Sequence, residues 1–229
     1  YWNYLSNTGI INGETMGSLS NKYDTLFTPA GYAFSIWGFI YIGLLGNAIY
    51  LLRNASSPYS KPQALSLIVA NLANCLWIYC WLNEYTLASV IVMVVLLLTL
   101  LWLVIRLDIG QEKHAIWVWW PISIYSGWIV VALVANISAY LTKIQWTFLM
   151  ESSYWAVLLI IVATLIYIFL SVKKHLTYMS YVGVWALFNI MIKQWDITPA
   201  VQYSALACLL CLFAITIIKD YQARRKGIY

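Results

Sequence analysis

The stretch Leu87-ASVIVMVVLLLTLLWLV-Ile105 decides the fold of this chain, because it contains no charged residue and is long enough to cross a bilayer. A hydrocarbon core about 30 Å thick requires roughly 20 mostly apolar residues, since each helical residue advances about 1.5 Å. Only 9% of the 229 residues carry a charge. The sequence therefore predicts a membrane protein whose other apolar runs are also spans.

Six further runs meet this expectation. The seven predicted spans are Tyr32 to Leu52, Ala64 to Trp81, Leu87 to Ile105, Ile116 to Tyr140, Tyr154 to Val172, Tyr178 to Ile192 and Val201 to Ile218. They are continuous rather than alternating, which favours helices over a β-barrel. We predict an all-α polytopic transmembrane bundle, in which the span beginning at Tyr178 is the shortest. Because the chain opens with Tyr1 and Trp2, we also expect a signal peptide or one more helix upstream.

Charge placement predicts the orientation, since cytoplasmic loops retain Lys and Arg. Alternate connections place ten basic residues on one side: Arg53, Lys61, Arg106, Lys113, Lys173, Lys174, Lys219, Arg224, Arg225 and Lys226. The other side receives only Lys22, Lys143 and Lys193. We therefore expect a cytoplasmic C-terminus, an external cap at residues 1–31, and a multi-pass protein of the bacterial inner membrane. The net charge of +5 reflects this bias and indicates no nucleic-acid partner.

The spans lack the groups that pumps and haem proteins need. No Asp, Glu, Lys, Arg or His lies near the middle of a predicted span, and such charges are retained in membranes for function. The four cysteines, all within spans, lack companion metal ligands, so we predict no metal site. No nucleophile with a nearby base is evident, so we expect no enzyme. A facilitative transporter is the least favoured class, because no midplane charge or inverted repeat supports it.

Polar and aromatic residues instead form three stripes at helical spacing. The stripes comprise Phe34, Trp37 and Tyr41; Asn71, Asn74, Trp77 and Trp81; and Tyr125, Trp128, Ala132 and Asn136. Helix packing and a ligand pocket explain them about equally well from the sequence. Aromatic walls with a few amide and phenol groups suit a flat, mostly apolar ligand.

The same stripes carry a family resemblance. The segment Phe27-TPAGYAFSIWGFI-Tyr41, the Asn74-Cys-Leu-Trp77 motif and Tyr125-Ser-Gly-Trp128 with Ala132 and Asn136 resemble successive motifs of the tryptophan-rich sensory proteins, TspO/MBR. The resemblance covers roughly half the chain, from Leu26 to Tyr140. It implies a five-helix unit with one helix before the proline loop. Residues 32–140 would be its four-helix part, and residues 141–229 would add three helices and a basic tail.

The resemblance also implies a function. Family members bind porphyrins and sterol-like or drug-like apolar ligands in a pocket under the proline loop, and some have been proposed to degrade porphyrins photochemically. The corresponding ligand-binding residues here are Pro29, Phe34, Trp37, Tyr41, Asn74, Trp77, Trp81, Tyr125, Trp128, Ala132 and Asn136. We therefore expect a membrane sensor that binds a porphyrin or a lipid, although no residue pattern identifies the cofactor itself.

A second reading stays open at this point. The three C-terminal helices have almost uncharged faces, which would suit a non-catalytic accessory subunit packed in a larger membrane complex. Membrane lipids are expected partners in either case. A sensor would be isolated as a monomer or homodimer, whereas an accessory subunit would be isolated with its partners.

Overall fold

A computed structural model describes residues 2–107, 115–146, 151–174 and 176–227. Every regular element within these ranges is helical. The helices are α1 (Trp2–Leu5), α2 (Met16–Lys22), α3 (Ile36–Arg53), α4 (Ser60–Leu82), α5 (Thr86–Arg106), α6 (Ile116–Lys143), α7 (Ser152–Lys174), α8 (Thr177–Lys193) and α9 (Pro199–Arg225), with a 3-10 turn at Gly31–Ser35 before α3.

Six of the described helices are long and apolar enough to cross a membrane. They are α3 with its preceding 3-10 turn, α4, α5, α6, α7 and α9. The predicted all-α polytopic bundle is therefore confirmed. The remaining predicted span, Tyr178 to Ile192, corresponds to α8, whose 17 residues make about 26 Å of helix and fall short of the roughly 30 Å core.

Helix α6 occupies the centre of the bundle. It packs against α3, α5 and α8, and 67% of its apolar window is buried, compared with 28% for α3 and for α9. Around it, α4 packs on α5, and α7 and α8 both pack on α9, whereas α3 and α4 touch only slightly. This arrangement positions α3, α4 and α6 around a shared space.

The two ends of the bundle differ in their number of basic residues, and side-chain hydrogen bonds connect the helices at each end. Near the start of α6, Asn47 Nδ2 donates to Trp117 O at 2.6 Å and Gln63 Nε2 donates to Val118 O at 2.8 Å. These bonds join the end of α3 and the start of α4 to the start of α6. We call this end of the bundle the basic end, because it contains Arg53, Lys61, Arg106, Lys219, Arg224, Arg225 and Lys226. Lys113 lies outside the described residues, as do the side chains of Lys173 and Lys174.

Residues 2–31 cover the opposite end, here called the cap end. Thr15 begins α2 with a capping box, in which its hydroxyl accepts from Ser18 N and the Ser18 hydroxyl accepts from Thr15 N. Asn12, at φ 56°, turns the chain before α2 and donates from Nδ2 to Leu82 O at 3.1 Å. The cap thus has its own local structure and is tied to the end of α4. The predicted cap residue Tyr1 lies outside the described residues.

Candidate functional site

The entry to α3 sets the geometry of the site. Pro29 lies in the loop before the 3-10 turn, and the turn passes directly into α3. Phe34, Trp37 and Tyr41 therefore follow one another at intervals of three and four along one face. That face is directed toward the space that α3, α4 and α6 share.

A cavity of about 540 Å³ lies between the cap and the helices. Its floor includes Phe34, Trp37, Tyr41 and Trp77, and Pro29 lies in its wall. The rim of the cavity is polar. Lys193 contributes to it from the end of α8, and the cap contributes the amide and hydroxyl side chains of Asn3, Ser6, Asn7, Ser20, Asn21 and Thr28. The outer cavity therefore combines an aromatic floor with a polar mouth.

A second, smaller cavity of about 60 Å³ lies deeper in the bundle. It shares six lining residues with the outer cavity, among them Phe34, Trp37 and Trp77, so the two spaces adjoin. Its remaining lining includes Tyr23, Trp81, Trp128, Asn136 and three alanines of α6, Ala132, Ala135 and Ala139. Because the side chains at these α6 positions are small, a space remains between α6 and the surrounding indole rings.

The aromatic rings around the two cavities contact one another in defined geometries. Trp37 stacks on Tyr41, with centroids 5.5 Å apart, and meets Tyr125 edge to face at 5.9 Å. Phe34 meets Trp128 edge to face at 5.6 Å. On α4, Trp77 and Trp81 are stacked at 6.5 Å. These groups of contacting rings form the aromatic wall of the two cavities.

Asn136 links three helices beneath this wall. Its Nδ2 donates to Ser89 Oγ at 2.8 Å, and its Oδ1 accepts from Trp77 Nε1 at 3.4 Å. The Ser89 hydroxyl in turn lies 2.8 Å from Thr86 O, to which it donates. Asn136 therefore holds α4, α5 and α6 together as well as lining the inner cavity.

Several buried polar atoms near the cavities have no hydrogen-bond partner among the described residues. The indole N–H groups of Trp81 and Trp128 are unpaired, although these side chains are only 6% and 1% exposed and line the inner cavity. The Tyr125 hydroxyl is unpaired as well, whereas the Tyr41 hydroxyl lies beside the side chains of Asn74 and Asn3. An indole N–H can only donate, so two residues of the inner cavity lining carry buried donors without acceptors among the described residues.

Glu84, in the turn between α4 and α5, anchors one side of the cap. Its carboxylate accepts from Lys22 Nζ at 2.7 Å and from the Tyr23 hydroxyl, and its backbone carbonyl accepts from Lys143 Nζ at 2.5 Å. The hydrogen bond from Lys22, followed by that from Tyr23, lowers the pKa of the Glu84 carboxyl below its ordinary value. A negative charge at Glu84 thus fastens α2 over the site.

Helix α8 anchors the other side. Lys193 Nζ lies 2.5 Å from Asp24 Oδ1 in the cap. Trp185 Nε1 donates to Ala33 O at 3.2 Å, and Ala30 N donates to Asn189 O at 3.3 Å. The loop containing Pro29 is therefore held against a helix that the sequence assigned to the additional C-terminal group.

Most of the predicted site residues are brought together. Nine of them line one or both cavities: Pro29, Phe34, Trp37, Tyr41, Trp77, Trp81, Trp128, Ala132 and Asn136. Tyr125 does not line a cavity and instead contacts Trp37 from behind. Asn74 is also absent from both linings, and its buried side chain lies beside the Tyr41 hydroxyl.

Sequence reasoning missed the residues that the cap and α8 contribute, including Met16, Ser20, Tyr23 and Lys193. Met16, Ser20 and Tyr23 repeat at intervals of four and three, but they belong to a short polar segment, and the contacts of Tyr23 and Lys193 join parts of the chain far apart in sequence. Ala135 and Ala139 could have been found, because with Ala132 they repeat at intervals of three and four on α6.

Comparisons with known proteins agree with the motif reading. A search of curated proteins found no match, and a search of solved structures also found none. A family model described as TSPO-like protein matches residues 1–218, which extends the resemblance beyond Tyr140 through most of α9. With this match over nearly the whole chain, the protein belongs to the TSPO-like family.

Proposed function

We propose that this integral membrane protein binds a flat, mostly apolar ligand in the cap-end cavities and acts as a sensor. The observation that carries the proposal is the pair of buried, unpaired indole N–H groups of Trp81 and Trp128. A buried donor without a partner costs about 1–3 kcal/mol, which an acceptor on a ligand would offset. The ligand therefore needs hydrogen-bond acceptors on an otherwise apolar body.

A porphyrin meets these requirements, and a lipid or sterol-like molecule with an oxygen acceptor meets them in part. The outer cavity of about 540 Å³ lies within the range of small-molecule sites, and the aromatic rings of its floor, including those of Trp37 and Tyr41, suit a planar ligand. Porphyrin carboxylates are acceptors and would also suit the mouth beside Lys193.

Titration with protoporphyrin IX in mild detergent tests the proposal. Saturable quenching of tryptophan fluorescence is expected for the wild-type protein, and Trp128→Phe should weaken binding because it removes one of the two donors. Trp195→Phe is the matched control, since Trp195 is an exposed indole at the cap end outside both cavities. Non-saturable quenching, or equal affinity for wild type and Trp128→Phe, would contradict the proposed site.

Two additional observations in the same experiment separate the alternatives. We propose binding without catalysis. Illumination should therefore reduce the absorption of bound porphyrin no faster than it reduces the absorption of porphyrin mixed with free tryptophan. We also propose that the protein is isolated as a monomer or homodimer. Co-purifying membrane proteins in fixed ratio, without porphyrin binding, would instead favour the accessory-subunit reading.

We further propose that the basic end faces the cytoplasm of a bacterial inner membrane. The cap-end lysines are Lys22, Lys143 and Lys193, and each contacts an oxygen atom of the protein. The larger group of basic residues lies at the other end, in the pattern typical of cytoplasmic loops. The ligand site would then open toward the external side.

A further inference from the structure

A groove on the outside of the α4–α5 hairpin lies away from the cap-end site. It measures about 770 Å³ and is lined by Leu65, Ser66 and Val69 of α4 and by Leu98, Thr99, Leu101, Trp102 and Ile105 of α5. Because α4 begins and α5 ends at the basic end, the groove belongs to that half of the bundle. None of its residues lines the two cap-end cavities.

The walls of this groove offer no free hydroxyl donor among the described residues, although two of the lining residues carry hydroxyl groups. The Ser66 hydroxyl donates to Pro62 O and the Thr99 hydroxyl donates to Val95 O, each at 2.8 Å. Both hydroxyls are therefore engaged by their own helices. The side chains of Leu65, Leu98 and Trp102 are more than half exposed. A hydrocarbon chain fits such a surface better than a ligand that needs hydrogen bonds.

The mouth of the groove carries positive charge. The Arg106 guanidinium, in the last turn of α5, lies 5.8 Å from the centroid of the Trp102 ring. Tryptophan and basic side chains at this depth are typical of the level of lipid headgroups.

We propose that this groove binds an anionic glycerophospholipid from the surrounding bilayer. One acyl chain would lie along the groove between α4 and α5, and the phosphate would lie at its mouth near Arg106. The occupant follows from charge complementarity combined with apolar walls, because each basic residue near an anionic membrane surface contributes about 1 kcal/mol. This site is independent of ligand binding at the cap end.

Native mass spectrometry of the detergent-solubilised chain tests this assignment. The probes are dioleoyl phosphatidylglycerol and dioleoyl phosphatidylcholine, which differ in net charge and share their acyl chains. We expect tighter binding of the first phosphatidylglycerol than of phosphatidylcholine. Arg106→Gln should weaken phosphatidylglycerol binding about fivefold and leave phosphatidylcholine binding nearly unchanged.

Two variants distinguish a defined groove from general attraction to anionic lipid. Arg53→Gln removes an exposed basic side chain of the same end from α3, which contributes nothing to the groove, and should change the affinity little. Val69→Trp fills the groove at an exposed position without changing charge and should weaken binding. Equal binding of the two lipids, an Arg53→Gln effect as large as that of Arg106→Gln, or no effect of Val69→Trp would each overturn the proposal.

Discussion

At the scale of single residues, close packing of small side chains fixes the centre of the bundle. Gly183 of α8 lies against Tyr167, whose hydroxyl donates to Gly127 O at 2.6 Å. A Cβ at Gly183 would lie 2.6 Å from the Tyr167 ring. The ring is held at its far end by the bond to Gly127, so it has little freedom to move away. Small residues at helix crossings in membranes serve this close approach.

Gly183→Ala should therefore destabilise the bundle by about 1–3 kcal/mol, the usual cost of overpacking. Gly38→Ala is the matched control, because no atom lies within 4 Å of the added Cβ and glycine within a helix costs about 0.5–1 kcal/mol relative to alanine. Thermal unfolding in mild detergent measures both. A Gly183→Ala protein as stable as Gly38→Ala would contradict the packing described for α7 and α8.

Residue patterns predicted much of the aromatic wall, and the reason is physical. Trp37 and Tyr41 lie one turn apart, so helical spacing alone places them on a shared face. The function of Asn136 could not be resolved in the same way. Its partner Ser89 lies on another helix, and a hydrogen bond between side chains 47 positions apart leaves no periodic signal in the sequence.

At the scale of elements, the cap depends on ionic contacts with the loops beneath it. Glu84 is the common partner of Lys22 and Tyr23, and its own backbone is held at φ 60° in the turn between α4 and α5. Because the folded state lowers the pKa of the Glu84 carboxyl, its stabilising contribution is complete above the unfolded value of about 4.3. The contribution is lost as the pH falls through the lower, folded value.

Glu84→Gln should loosen the cap at neutral pH, and acidification below about pH 4 should loosen the wild-type cap in the same way. Hydrogen exchange of the α2 amides reports this directly. Glu14→Gln is the control, since the Glu14 carboxylate contacts Ser18 within the cap and does not join the cap to the helices. Equal exchange rates in Glu84→Gln and wild type would show that other contacts hold the cap.

At the same scale, the sequence predicted the membrane spans but not the contacts between distant helices. Apolar length predicted the spans well, because the transfer of side chains into lipid depends mainly on local composition. The contacts of α8 with the Pro29 loop were not predicted, since Trp185 and Ala33 are separated by 152 positions. A boundary at residue 140 stays a prediction, and α8 contributes to the cap-end site from beyond it.

At the scale of the whole molecule, the unequal distribution of lysine and arginine predicts the orientation. Single cysteines introduced at Ser56, between α3 and α4, and at Asn7, in the cap, would report opposite sides. A membrane-impermeant maleimide applied to spheroplasts should label Asn7→Cys and spare Ser56→Cys until the membrane is opened. The unmodified chain controls for its own four cysteines. The reverse labelling pattern would contradict a cytoplasmic basic end.

The central claim is that a ligand supplies acceptors to the buried indoles, and ¹⁵N-indole NMR with protoporphyrin IX tests it most directly. Trp81→Phe and Trp128→Phe assign the two signals. We predict that both N–H resonances shift downfield and saturate together, because each donor gains an acceptor. Shifts confined to exposed indoles such as Trp102 and Trp195, with those of Trp81 and Trp128 unchanged, would contradict the site.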